Sequence, residues 1–149
     1  SGELIAIDGA VVNYKDVAWH VQRRLDEYGA EALSVQFDRW RITEFQSNAS
    51  EVGFAPYAEW VSVGQGYRSM SVRIEAAETA LLERNIVQSH PVLNLGAAHA
   101  IITQDGAGNR KLEKHRAANK IDGAVAMIMA IYPWVSGESN PFDVSAMIV

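Results

Sequence analysis

Runs of strand character and runs of helical period succeed one another four times between Leu4 and Tyr132, and this alternation is what most restricts the fold. Leu4, Ile5, Ile7, Val11 and Val12 surround Asp8-Gly9, which predicts a short strand or hairpin. Tyr14 to Tyr28 places Val17, Val21, Leu25 and Tyr28 at helical spacing, with Asp16 in the first turn and Gly29 as a stop. Ala32 to Phe37 alternates as a strand does and ends at Asp38, after which Arg39 to Phe45 opens a second helical segment. Glu59 to Val63 is the next predicted strand, closing in Gly64-Gln65-Gly66. Met70 to Asn85 reads as a long amphipathic helix with Ser71 as its N-cap. Beyond His90-Pro91 a short apolar segment leads into a strand at Ala100 to Gln104 and then the turn Asp105-Gly106-Ala107-Gly108-Asn109. Ile121 to Tyr132 is the last predicted helix, stopped by Pro133. With no internal repeat and no linker, the expectation is an α/β sheet with helices on its faces in one domain over residues 1–135, and a tail without periodicity over 136–149.

Composition narrows the chemistry. Of the 149 residues 48% are apolar and 21% charged, enough for one ordinary soluble core. The formal net charge of -5 does not invite polyanions to the surface as a whole, so any nucleic-acid contact requires a local patch. The absence of Cys excludes disulfides, thiolate zinc sites and cysteine nucleophiles, and leaves oxygen or imidazole as metal ligands. The longest apolar run, around Ala124 to Val135, contains Pro133 and falls short of the about 20 residues that a membrane span needs. No basic segment leads into an apolar stretch at the start, so no signal peptide is expected. His20, His90, His99 and His115 form no HExxH pair, and the chain has no GxxxxGK[ST], GxGxxG or GxSxG.

Two acids stand out by position, Asp38 at the end of an apolar strand and Asp122 one residue into an otherwise apolar helix. A carboxylate beside a core-facing run is tolerated when it is paired, hydrogen-bonded or bound to a cation, so a metal is one reason for either. The alternative has Asp38 capping the helix after it and Asp122 complementing the positive end of its own helix. Between residues 110 and 120, Arg110, Lys111, Lys114, Arg116 and Lys120 face only Glu113, a local charge of +4. Placed directly before Asp122, such a run draws phosphates toward a carboxylate that repels them unless a cation lies between; the alternative is an ordinary solvated loop.

His90-Pro91-Val92-Leu93, the turn and basic segment Asp105-Gly106-Ala107-Gly108-Asn109-Arg110-Lys111-Leu112-Glu113-Lys114, and the block Lys120-Ile121-Asp122-Gly123-Ala124-Val125-Ala126-Met127 together resemble the C-terminal nuclease domain of tailed-phage terminase large subunits. Phe37-Asp38-Arg39-Trp40 is similar to that family's strand-end acid followed by an aromatic, and Met70-Ser71 to its approach to the helix before the His-Pro segment. The likeness runs from about Leu4 to Ile131, the block around Asp122 being its most specific part.

The resemblance implies an RNase H-like mixed sheet flanked by helices, and a metal-dependent endonuclease that cuts concatemeric double-stranded DNA during genome packaging. It implies Asp38 and Asp122 as catalytic metal ligands for Mg²⁺ or Mn²⁺, with Arg110, Lys111, Lys114, Arg116 and Lys120 on the DNA backbone. Two-metal phosphodiester hydrolysis suits such hard carboxylate ligands. In the longer parent protein it further implies contacts with the portal and the small terminase subunit, an ATPase domain that this chain does not carry, and action in the cytoplasm of the bacterial host. The departures matter as well. The family's first-strand acid has no counterpart, Asp8 reading as a turn residue, so the chain is expected to start after the first strand or strands and its cutting to be impaired. His99 stands where the family often has Asn, and Leu112 where Pro often follows the basic turn. A sheet short of strands exposes an edge for self-association. The competing readings are a non-catalytic DNA- or portal-binding module on the same scaffold and another RNase H-like enzyme such as a resolvase.

Overall fold

A computed structural model describes residue 5 and residues 11–39, 42–113 and 120–137. The strand or hairpin expected around Asp8-Gly9 and the tail beyond Gly137 lie outside the described residues. The elements fall into two compact units, Ser1–Gly64 and Gln65–Val149. No helix among the described residues is long and apolar enough to cross a membrane.

In the first unit, α1 (Tyr14–Tyr28) starts at Asn13, whose side-chain oxygen accepts the N–H of Lys15 at 2.9 Å. It stops where Gly29 turns left-handed at φ 60°: the Gly29 N–H reaches the Asp26 carbonyl and the Ala30 N–H the Leu25 carbonyl, closing the last turn. Then come β1 (Ser34–Phe37), α2 (Ile42–Glu51) and β2 (Glu59–Ser62). The two strands are parallel, with Ser34 opposite Glu59 and Phe37 opposite Ser62, which makes β1-α2-β2 a crossover unit. The ladder extends past both ends through Glu59 N–H to Leu33 O and Val63 N–H to Phe37 O. Fully buried Ala18 on α1 and Ala49 on α2 keep side-chain bulk out of the core where those helices pack. Around them Phe45, Phe54 and Trp60 meet pairwise with ring centroids 6.1 Å apart.

In the second unit, α3 (Tyr67–Leu82) buries Met70, Ile74, Ala77 and Ala80 along one stripe. It begins at Gly66, in extended backbone at φ -80°, rather than at Ser71, which lies inside the helix; the Gly66 carbonyl already accepts the Met70 N–H. The segment after His90 is a helix of its own, α4 (Pro91–His99), with Pro91 in its first turn. A proline there gives up an N–H that has no helical partner, which is why a residue that reads as a breaker starts this helix. β3 (Ile102–Gln104) and β4 (Arg110–Leu112) form an antiparallel hairpin with Thr103 opposite Lys111. The second of these strands occupies the start of the basic run. The last helix, α5 (Asp122–Ser136), runs through Pro133 and ends at left-handed Gly137, φ 75°. The expected stop at Pro133 is thus corrected: the ring removes one backbone donor near the helix end, while Met129, Ile131 and Pro133 itself remain buried. The seam between α3 and α5 is filled by Ala77, Ala80 and Ile131, with Ile86, Met127 and Ile128 packed around them.

Candidate metal centre and nucleic-acid contacts

Asp38 is the residue immediately after β1, at the carboxyl end of the parallel pair, and is exposed. In open α/β sheets ligands gather outside the carboxyl ends of the strands. The neighbouring strand ends there in Ser62, followed by buried Val63. The described part of α2 begins at Ile42, four residues after Asp38.

Asp122 is the first residue of α5 and is also exposed. The residue before it, Ile121, offers no side-chain cap, so the carboxylate is the one acidic group in that helix's first turn, where the dipole favours negative charge. The block around it acquires a physical meaning residue by residue. Ile121, Ala124 and Val125 are buried and hold the head of the helix, while Asp122 and Gly123 face out. α4 closes on that head: a β-carbon on Gly96 would stand 3.6 Å from the Ala124 β-carbon. One on Gly123 would stand 3.0 Å from a Leu93 methyl, so glycine there lets Leu93 seat against the helix start. Small residues on both elements thus fix where the Asp122 backbone lies. Dipole complementation and ion binding are compatible roles for it, since both act on the same exposed carboxylate.

Among the described residues no group of three or more His, Cys, Asp or Glu comes together as a metal cluster. Asp38 belongs to the first unit and Asp122 to the second.

Among the described residues of the basic run, Arg110 and Lys111 are engaged and Lys120 faces solvent. The Arg110 guanidinium forks the Glu78 carboxylate of α3, at 3.0 Å and 2.8 Å. The Lys111 ammonium lies 3.3 Å from Glu113 and 4.8 Å from the centre of the Tyr67 ring. Tyr67 in turn shares a hydrogen bond with Thr103 on the opposite strand, so these contacts tie the hairpin to the first turn of α3. Lys120 is exposed directly ahead of α5. Lys114 and Arg116 lie outside the described residues. Glu78 stands 32 residues from Arg110 and carries no local sequence signal as its partner. Glu113, the one acid within the run, is the group that engages Lys111.

The turn between the strands is closed by Asp105, whose carboxylate accepts the N–H groups of Ala107 and Asn109 and the Asn109 amide. The Asn109 side-chain donor, followed by those backbone donors, holds the Asp105 carboxyl below its ordinary value. That carboxylate is consumed by the turn, a structural role matching its turn-forming sequence.

Comparison with known proteins places these elements in context. The family described as terminase large subunit, endonuclease domain, matches residues 2–138. The terminase large subunit of Enterobacteria phage HK97 is 36% identical over 132 residues, which make up 87% of this chain and 25% of that protein. The crystal structure of the HK97 bacteriophage large terminase matches with a TM-score of 0.77 at 35% identity, over 88% of this chain and 27% of that one. The chain therefore spans about a quarter of the length of these relatives.

Proposed function

This chain belongs to the endonuclease-domain family of terminase large subunits, and from that premise we propose that it hydrolyses phosphodiester bonds of double-stranded DNA with Mg²⁺ or Mn²⁺ held by Asp38 and Asp122. Its architecture is the mixed α/β, RNase H-like one that the sequence resemblance implied. The observation that carries the reading is the setting of the two acids. Each is an exposed carboxylate at the end of an element whose other residues are held by packing, one at the carboxyl end of a parallel strand pair and one at a helix head clamped by α4.

The donor set fits the ion. Mg²⁺ keeps several waters and takes only one or two carboxylates, with substrate phosphates completing its shell, so a site of this kind needs no cluster of three protein ligands. A bound ion would supply a water of lowered pKa and stabilisation of the leaving oxygen. The chain's own contribution is to hold the carboxylates still: Leu93 and Ala124 fix the start of α5, and the ladder bond from Val63 to Phe37 fixes the end of β1. Lys120, and by extension Lys114 and Arg116, draw the phosphate backbone toward Asp122, while Arg110 and Lys111 shape the hairpin. By the same reading the parent protein cuts concatemeric DNA during packaging, with the portal, the small subunit and an ATPase domain as partners, in the cytoplasm of the bacterial host.

The test is plasmid cleavage in Mn²⁺ by the chain and by Asp38→Ala and Asp122→Ala, with Mn²⁺ binding followed by calorimetry and folding by circular dichroism. Cleavage by the chain is expected to be impaired, as its sequence implies, so each substitution is read first as a loss of Mn²⁺ affinity and then as a loss of the remaining cleavage, with the fold retained. Cleavage and Mn²⁺ affinity both unchanged in either variant would remove that acid from the site.

A further inference from the structure

Strand alternation puts Ser34 and Gln36 on one face of β1 and Val35 and Phe37 on the other. The second face is covered: Val35 packs against the cluster of Ala18, Ala49 and Phe54, and Phe37 meets Trp60 with ring centroids 6.2 Å apart. On the first face Gln36 lies opposite Val61 of β2. Its amide oxygen is buried and, among the described residues, has no hydrogen-bond partner. Its amide nitrogen donates only to the Ser34 hydroxyl, at 3.5 Å. That distance is the outer limit of a hydrogen bond, so the amide leaves water for almost nothing in return. Methionine would fill the same place without that loss. A polar group kept where it weakens the fold calls for a functional reason, and the reason lies one step along the strand. The extended backbone continues past β1 through the bond from the Val63 N–H to the Phe37 carbonyl, so Asp38 follows Gln36 on the same face, about 6–7 Å further on.

We infer that Gln36 is a positioning residue for Asp38: its amide N–H donates to one oxygen of the Asp38 carboxylate and leaves the other turned outward for the ion. The inference rests on the reading of Asp38 as an ion ligand. A glutamine side chain extended along the strand spans the rise between the two residues. The bond it gives up to Ser34 is long and neutral, whereas a bond to a carboxylate is charge-assisted and shorter. Carboxylates that hold ions are themselves hydrogen-bonded, and such outer partners fix which oxygen faces the ion. A neutral donor suits this better than a lysine or arginine would, because it orients the carboxylate without cancelling the charge that attracts the ion. The backbone gives Gln36 a fixed base, since β1 is paired with β2 from Ser34 to Phe37.

Gln36→Met and Gln36→Asn test the inference in the whole chain, beside Asp38→Ala, by Mn²⁺ binding in calorimetry and by melting in EDTA. Gln36→Met keeps the volume and removes the unpartnered amide. It is expected to melt a few degrees higher without metal while binding Mn²⁺ about tenfold more weakly. Gln36→Asn keeps an amide but shortens its reach by one methylene, so it should lose Mn²⁺ affinity to the same extent with no gain in melting temperature. A merely structural glutamine predicts the opposite pair for Gln36→Met, a lower melting temperature and an unchanged affinity. Either half of that pair would overturn the inference: a lower melting temperature because the amide would then be supporting the fold, an unchanged affinity because the carboxylate would not need it. Mn²⁺ binding weakened by Asp38→Ala but not by the Gln36 variants would overturn this inference alone. Binding left intact by Asp38→Ala would instead overturn the reading of Asp38 beneath it, so the two failures are told apart.

Discussion

The two units of this chain solve the same packing problem by opposite means. The first surrounds two fully buried alanines with three large rings, Phe45, Phe54 and Trp60, over a parallel strand pair. The second builds its seam from alanines and isoleucine between two long helices, and leaves its tryptophan outside. Aromatic cores concentrate burial in a few residues, whereas a seam of small side chains spreads it along the helices and depends on close approach. The difference extends to the acids. Asp38 ends a strand whose position is set by a backbone ladder, while Asp122 heads a helix whose position is set by side chains as small as Gly96, Gly123 and Ala124.

That contrast is open to test. Phe54→Ala removes a ring that touches both Phe45 and Trp60, and about 3–5 kcal/mol of stability should be lost in chemical denaturation. Hydrogen exchange should show the loss concentrated in the first unit; uniform loss would mean that the two units fold as one. In the second unit, Ala80→Leu should destabilise by overpacking, about 1–3 kcal/mol, and a neutral result would show that the seam is not close-packed at Ala80.

Smaller effects probe the hairpin. Arg110→Ala leaves Glu78 half-exposed and able to hydrate, so the loss should be about 1 kcal/mol or less. Its effect on DNA affinity should be smaller than that of Lys120→Ala, which should reduce the salt slope by about 1. Equal salt slopes for the two variants would break the division between engaged and solvent-facing cations.

The smallest effect is a pH dependence. The Asp105 carboxyl is held below its ordinary value of 3.8 when folded. Its contribution is therefore fully present above that value and is lost as the pH falls through the lower, folded one. Asp105→Asn should abolish that acid limb in the hairpin's amide exchange, and an unchanged limb would show that other carboxylates cause it.

Much of this was legible in the sequence. Tyr14 to Tyr28 appears with the bounds its spacing and Gly29 dictate, because a helix with its own cap and stop needs little from its surroundings. Asp38 and Asp122 were legible as acids at the ends of apolar runs, and both do stand at element ends. Other elements were decided by partners distant in the chain. Pro133 continues α5 because the burial of Met129, Ile131 and Pro133 outweighs one missing backbone bond. Pro91 starts a helix because α4 has the head of α5 to pack against. The charge of residues 110 to 120 was plain from composition, but its availability was not: Arg110 and Lys111 are engaged by Glu78, Glu113 and Tyr67, brought to them by the folding of the hairpin onto α3. The sequence by itself determined most of the elements, though not α4 or β4, together with the lack of thiol chemistry and the presence of acids at element ends, since periodicity and residue type act locally. Tertiary structure alone decided which charges are neutralised and that Trp60 packs against Phe45 and Phe54 while Trp134 stays exposed, since both depend on contacts between residues far apart along the chain.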